Sequence, residues 1–293
     1  MKSLFNGVNL KHFCAAIFGC ALAAKPVLSE PLFVPFDFSR SEIGVAATIK
    51  GTPVYVFLDS GVDPSTIDLA RARALHLNIG PSGGGEVSGT GSGKAPQAFP
   101  TTIKGLGIGG RPFAGVDAVA LDLSAISTKY GRRIDAVLGF SFLKDKSVLI
   151  DYRAHTLEIL SKPTDENAVT RSCRIKWDAD LRLLPGDNWP SFAAFRLGEA
   201  SAPATLDTGS NSYLMLYQGA LALPGMRAAL ADRGTTQAGG FRGGETRKQY
   251  ALLAPIGFGP FSLPPGTPVT MNANAGPGGV FHAVLVHDLQ GRN

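Results

Sequence analysis

Residues 46–61 read AATIKGTPVYVFLDSG, and residues 193–209 read AAFRLGEASAPATLDTG. Each stretch passes through a short turn into an apolar run that stops at an aspartate, Asp59 or Asp207, followed by a hydroxyl residue and a glycine. An aliphatic residue, Ile49 or Leu197, stands ten positions before each aspartate. Seven to nine positions after it come Thr66-Ile67-Asp68 in one copy and Leu214-Met215-Leu216 in the other, and sixteen after it come Leu75 and Leu223. Leu106-Gly107-Ile108-Gly109 answers to Ile256-Gly257-Phe258-Gly259, and Ala136-Val137-Leu138-Gly139 to Ala283-Val284-Leu285-Val286. Landmarks in the same order at nearly the same offsets mark an internal repeat, which sets the organisation of the chain before any single element does.

The composition names the kind of unit that is repeated. Only 17% of the 293 residues are charged, while 36 glycines and 20 prolines supply many turns. With 44% apolar residues the chain can bury a core, so wholesale disorder is excluded, and short apolar runs between turn-formers point to strands. The expected class is all-β, with two pseudo-symmetric lobes and short helices. The lobes are placed at 30–163 and 164–293, joined near the polar Lys162-Pro163-Thr164-Asp165-Glu166-Asn167. Hairpins are expected at 43–50 with 53–58 and at 192–197 with 203–206, a closing hairpin at 148–152 with 156–160, and a short helix over 70–75. The glycine-rich stretches 82–93 and 239–244 read as mobile hairpin tips.

Residues 1–29 read as a secretory signal peptide. Lys2 and Lys11 precede an uncharged stretch from Phe13 to Ala24, too short to span a bilayer comfortably, and Ala21-Leu22-Ala23 offers a cleavage site. Bulky Phe18 ahead of Cys20 fits a lipoprotein signal poorly, so a periplasmic or secreted protein is expected. Losing this leader removes two lysines and no acid, and the net charge falls from +5 to +3. The remaining basic residues are scattered, without a stripe that tracks phosphates, which argues against nucleic acid as a partner. Cys173 is the one cysteine outside the leader and cannot form an internal disulfide.

Both aspartates sit where a buried strand meets a tight turn. The hydroxyl residue that follows can brace the turn, and the glycine lets a backbone N–H approach the carboxylate. A pseudo-two-fold relation between the copies would bring the two carboxylates face to face. Two such groups about 3 Å apart share one proton, since both cannot ionise cheaply. The charged member can then take a proton from water while the protonated member polarises a carbonyl, with no metal and no covalent intermediate.

The motifs Leu58-Asp59-Ser60-Gly61, Leu206-Asp207-Thr208-Gly209-Ser210 and Val137-Leu138-Gly139 with Phe142-Leu143 resemble those of aspartic peptidases of the retropepsin and pepsin type. The likeness extends over roughly residues 40–290, and is in particular to the bacterial two-lobe, single-chain relatives. The resemblance implies an endopeptidase with Asp59 and Asp207 as its dyad, Ser60, Gly61, Thr208, Gly209 and Ser210 as supports, and no cofactor. It also implies flaps at Gly89, Thr90 and Gly91 and at Gly239, Gly240 and Phe241, closing over an extended polypeptide substrate.

Two departures keep a second reading open, that of a catalytically silent peptide-binding or assembly protein. Asp63 adds a carboxylate four residues from Asp59. The second copy also ends seven residues after Val286, so it is expected to lack the closing hairpin of the first and to leave an edge for a partner strand or a dimer. Other motifs fall away. Gly105-Leu106-Gly107-Ile108-Gly109-Gly110 satisfies G-x-G-x-x-G but leads into Arg111-Pro112-Phe113, with no helix start. Gly89–Ala95 fails as a phosphate loop at both ends, the five histidines form no H-E-x-x-H, and no G-x-S-x-G is present.

Overall fold

A computed structural model describes residues 32–81, 91–160, 191–197, 200–210, 212–258 and 261–272. The leader, the linker at 162–167, Cys173 and the segment Ala283–Val286 with everything after it lie outside the described residues. So does the expected absence of a second closing hairpin.

In chain order the first half contains β1 (Leu32–Pro35), β2 (Ile43–Ile49), β3 (Thr52–Leu58), β4 (Ser65–Asp68), α1 (Leu69–Ala74), β5 (Phe99–Ile103), β6 (Leu106–Ile108) and β7 (Arg111–Pro112). It continues with β8 (Val116–Leu121), α2 (Ser124–Tyr130), β9 (Ala136–Leu138), α3 (Phe140–Leu143), β10 (Ser147–Asp151) and β11 (Thr156–Leu160). The second half contains β12 (Ser191–Leu197), β13 (Ala200–Thr205), β14 (Leu214–Tyr217), β15 (Leu230–Gly240), β16 (Gly243–Leu252), β17 (Ile256–Phe258), β18 (Phe261–Leu263) and β19 (Pro268–Asn272). The protein is mostly β, with few and short helices, as the composition predicts.

The hairpin β2–β3 turns on Lys50 and Gly51, both at positive φ, the geometry that matches strand twist in a two-residue turn. Lys50 makes itself useful there, because its Nζ donates to the carbonyls of Leu75 (3.0 Å) and His76 (2.9 Å) at the end of α1. Asp68 caps the other end of α1 by accepting from the Arg71 N–H (2.8 Å). Gly109 and Gly110, both at positive φ, make the β6–β7 turn, which accounts for the glycine pattern there without a nucleotide.

Strands β2 to β9 form one eight-stranded sheet in the order β5-β8-β4-β9-β3-β2-β6-β7. Strand β3 is therefore central, parallel to β9 on one side and antiparallel to β2 on the other. That explains why Val56, Phe57 and Leu58 are all buried in place of an alternating pattern. Asp135, held by Arg71 (3.2 Å) and Arg133 (2.8 Å), accepts from the Tyr55 N–H (2.9 Å) and ties the approach to β9 onto β3.

The second half repeats these pairings. The antiparallel pair β2–β6 has its counterpart in β12–β17, β6–β7 in β17–β18, and β5–β8 in β16–β19. The parallel pair β4–β8 has its counterpart in β14–β19. The strands here lie in two four-stranded sheets, β13-β12-β17-β18 and β14-β19-β16-β15. In the first half β9 joins β3 to β4, and the segment answering to it by sequence is Ala283–Val286.

Buried apolar residues follow the same division. One cluster draws on residues 32–159, including Ile43, Ile49, Ile67, Ile103 and Leu138, and another on residues 214–271, including Leu214, Met226, Ile256 and Val269. The closing hairpin β10–β11 forms at 147–151 and 156–160. Sequence patterning did not foresee its third strand, β1, which pairs with β11 across more than a hundred residues.

Candidate active site

Each aspartate is set at the exit of a hairpin strand. β3 delivers Asp59, whose N–H donates to the Leu138 carbonyl (3.0 Å), so the loop starts from the sheet centre and not from a free end. The Gly61 N–H then turns back onto Asp59 Oδ1 (2.8 Å). The second loop follows β13 in the same way, with the Gly209 N–H donating to Asp207 Oδ1 (2.9 Å) and the Ser210 N–H to the Asp207 carbonyl (3.5 Å). The Ser210 hydroxyl accepts from the Ser212 N–H (3.2 Å).

The loops meet tip to tip, and each glycine is packed against the other loop's carboxylate. A methyl group on Gly209 would lie 2.0 Å from Asp59 Oδ2, and one on Gly61 would lie 2.4 Å from Asp207 Cγ. Neither position tolerates a side chain while the carboxylates stay where they are. Gly139 shows a similar constraint nearby, since a methyl group there would stand 2.1 Å from the Val62 carbonyl oxygen.

Hydroxyl groups lock the two loops to each other. Ser60 Oγ donates to the Leu206 carbonyl (2.7 Å) and accepts from the Thr208 N–H (3.0 Å). Thr208 Oγ1 donates to the Leu58 carbonyl (3.2 Å) and accepts from the Ser60 N–H (3.0 Å). Both residues are buried, and the exchange is reciprocal, so each hydroxyl braces the opposite loop and not its own.

The electrostatics follow from this enclosure. Burial, then the charge and hydrogen bond of Asp207, hold Asp59 well above the ordinary carboxylate range, against the opposing Gly61 N–H. Burial raises Asp207 too, while hydrogen bonds from Asp59 and from the Gly209 and Ser210 N–H groups favour its anion. The two carboxyl groups thus share a proton and titrate as one system. Asp63 stands apart from this pair. Burial raises it, and Lys144 and the Ser141 N–H oppose the rise.

A cleft of about 1310 Å³ opens over the two carboxyl groups, and Asp59, Gly61, Asp207, Gly209 and Ser210 all reach its wall. The β15–β16 hairpin extends over it, paired through Gly239 with Gly244 and Gly240 with Gly243, so that Phe241 and Arg242 form the tip. Gly239, Gly240 and Phe241 line the cleft, and Phe241 packs against a first-half apolar cluster that includes Ile126 and Tyr130 of α2.

The first glycine-rich stretch behaves differently from the flap expected of it. Gly89 and Thr90 lie outside the described residues, and Gly91 is absent from the cleft wall. The backbone beside Gly91 is pinned to the hairpin tip. The Gly93 N–H donates to the Arg242 carbonyl (2.8 Å), Arg242 Nε donates to the Gly93 carbonyl (2.9 Å), and Ser92 Oγ donates to the Gly244 carbonyl (2.7 Å). Among the described residues one hairpin covers the cleft, and residues 91–93 anchor it.

Several wall residues carry no sequence signal. Glu42 is buried, accepts from the Tyr130 hydroxyl, and is pushed by burial to about 7. Arg247 on β16 is buried as well, paired with Glu245 and with Nη1 3.0 Å from the Met215 sulfur. Neither belongs to a motif; their roles come from strands that pair far along the chain.

The family model for aspartyl proteases matches residues 45–142. That segment carries Asp59 and the Val137-Leu138-Gly139 element, Asp207 lies beyond it, and the match points to a protease-type function. The match agrees with the resemblance to aspartic peptidases read from the sequence. Among solved structures, the chain is similar to a retropepsin-like aspartic protease from Rickettsia conorii at 16% identity, over 45% of this chain and 98% of that one, with a TM-score of 0.33. It is also similar to the retroviral protease-like domain of Ddi1 from Leishmania major at 17% identity, over 42% of this chain and 94% of that one, with a TM-score of 0.29. No curated protein matches the sequence.

Proposed function

We propose that the protein is an aspartic endopeptidase in which Asp59 and Asp207 activate a water molecule against a peptide bond. The observation that carries this reading is the interlock of the two Asp-Ser/Thr-Gly loops, with each glycine against the other loop's carboxylate. The ionised member of the pair removes a proton from water lodged between the carboxyl groups. The protonated member donates to the substrate carbonyl oxygen, so the tetrahedral species forms with its charge neutralised. The proton taken from water passes to the departing amine as the C–N bond breaks, a hydroxyl of the tetrahedral species gives its proton back as the carbonyl re-forms, and the pair regains its single shared proton. An extended polypeptide fits the cleft, beneath the hairpin tip of Phe241 and Arg242.

The test is cleavage of an unfolded polypeptide by the purified protein and by Asp59→Asn and Asp207→Asn separately. Each variant is expected to lose at least about a hundredfold in rate, as removal of an essential acid or base does. Retained cleavage in either variant rejects the mechanism. A protein that binds polypeptide tightly and cuts none would instead be the silent peptide-binding form of the same scaffold. Export is proposed on the leader alone; an N-terminus of the mature protein still at Met1 would refute it.

A further inference from the structure

Corresponding residues of the two halves reach the cleft with different chemistry. Phe57 and Thr205 stand two residues before Asp59 and Asp207, Val62 and Ser210 stand three after, and all four line the cleft. In the parallel ladder of β4 with β8 Thr66 pairs with Val119, and in that of β14 with β19 Met215 pairs with Thr270; these four line it as well. The half carrying Asp59 thus offers Phe57, Val62 and Val119, where the half carrying Asp207 offers Thr205, Ser210 and Thr270. Thr66 and Met215 run the other way, but both are buried, and the Met215 sulfur lies 3.0 Å from Arg247 Nη1.

The first wall is one continuous apolar surface, because Phe57, Val62, Val119 and Phe241 of the covering hairpin pack into a single cluster with Ile126 and Val137. The second wall presents hydroxyl groups, and Ser210 and Thr270 are both partly exposed. Thr270 Oγ1 donates to Ser212 Oγ at 3.4 Å and to the Leu214 carbonyl at 3.5 Å, at the long end of hydrogen bonding, so a closer partner can claim it. Gln249, partly exposed and paired across the strands with Thr270, adds an amide to the same wall. Arg247 brings no net charge, since it is buried against Glu245. Neutral donors and acceptors of this kind suit a neutral amide side chain, and a leucine expelling water from them leaves them without partners. On the apolar wall the balance reverses: leucine gains by burial and a glutamine amide loses its hydration.

We infer that the cleft is chemically one-sided, taking an apolar side chain against the half that carries Asp59 and a glutamine or asparagine side chain against the half that carries Asp207. This rests on the reading of the protein as a peptidase, and it adds a substrate class and a direction that two like Asp-Ser/Thr-Gly motifs do not specify. Thr270 and Val119 are here specificity residues, which touch substrate side chains without taking part in bond cleavage.

The experiment uses four matched peptides that carry leucine or glutamine at the two positions flanking the cleaved bond. With the wild-type protein one mixed order is expected to exceed the reverse order in kcat/KM by roughly tenfold, because the reverse order sets an amide on the apolar wall. That order should also be cut faster than the peptides with two leucines or two glutamines. Thr270→Val removes the hydroxyl from the second wall, and should shrink the ratio of the two mixed peptides by about threefold or more. Val119→Thr makes the first wall polar, and should shrink the same ratio. A general loss of catalytic power would lower all four peptides alike and leave the ratio intact. Mixed orders cut within about twofold of each other, another peptide cut fastest, or a ratio that survives either folded variant overturns the inference. If one variant fails to fold, the other decides, and if both fail, the wild-type ranking decides. If no peptide is cut, the peptidase reading fails, and fluorescence anisotropy of the two mixed peptides on the wild-type protein judges the cleft. Tighter binding of one order sustains the inference, and equal binding overturns it.

Discussion

Burying Glu42 has a consequence for stability that can be worked through in numbers. Its carboxyl group is raised from 4.5 to about 7 by burial, with Lys129 opposing the rise. A raised acid favours the folded state when protonated and penalises it when ionised. Stability from this source is therefore complete below the unfolded-state value of 4.5, and is lost as pH climbs through about 7. At 1.36 kcal/mol per pKa unit, the loss by pH 8 is about 3 kcal/mol. Glu42→Gln keeps an oxygen to accept from Tyr130 and removes the titration. Urea denaturation of both proteins at about pH 3.5 and about pH 8 isolates the effect, because constant differences between the side chains cancel in the comparison. The variant is expected to gain about 3 kcal/mol on the wild type between those two values. A gain below about 0.5 kcal/mol refutes the assignment of a buried, ionisation-averse Glu42.

Four further outcomes follow from the site. Activity against pH should rise as the pair sheds its first proton and fall as it sheds its second; because both groups are raised, the profile of kcat/KM is expected to be a bell displaced above the ordinary carboxylate range. Thr208→Val keeps the volume of the side chain but removes its bonds to Ser60 and Leu58, and should cost about 1–3 kcal/mol in urea denaturation. Gly209→Ala places a methyl on the Asp59 carboxylate, so cleavage should be lost even where circular dichroism reports an intact fold. Gly139→Ala meets the Val62 carbonyl instead of a carboxylate, and should lower stability by about 1–3 kcal/mol through a shift of backbone.

Much of the fold is readable along the chain because its signals are local. A turn around Gly51-Thr52 between apolar runs signals a hairpin, which the structure closes one residue earlier at Lys50-Gly51, glycines around 109 signal another, and apolar residues before Asp59 place that strand inside a sheet. The repeat adds the second aspartate at the matching place. Flap residues were legible only in part. Gly239–Gly244 lie in a hairpin with a two-residue tip, whereas the resemblance implies the same role for Gly91 and the structure packs it against the Arg242 backbone, with Gly93 bonded there. Glycine content reports freedom of the backbone, not what the backbone then touches.

By itself, then, the sequence determined that two similar stretches each present an aspartate, a hydroxyl and a glycine after an apolar run. Tertiary structure decided that these loops interlock, with Ser60 reaching Leu206 across 146 residues and Thr208 reaching Leu58 across 150. It also decided that β1 completes the sheet of β10 and β11, and that Glu42 and Arg247 enter the cleft. The reason is physical. Turn chemistry and strand periodicity act between near neighbours, while the pairing of distant loops depends on the topology of the whole sheet, and a lone glutamate or arginine acquires its meaning only from what that topology buries around it.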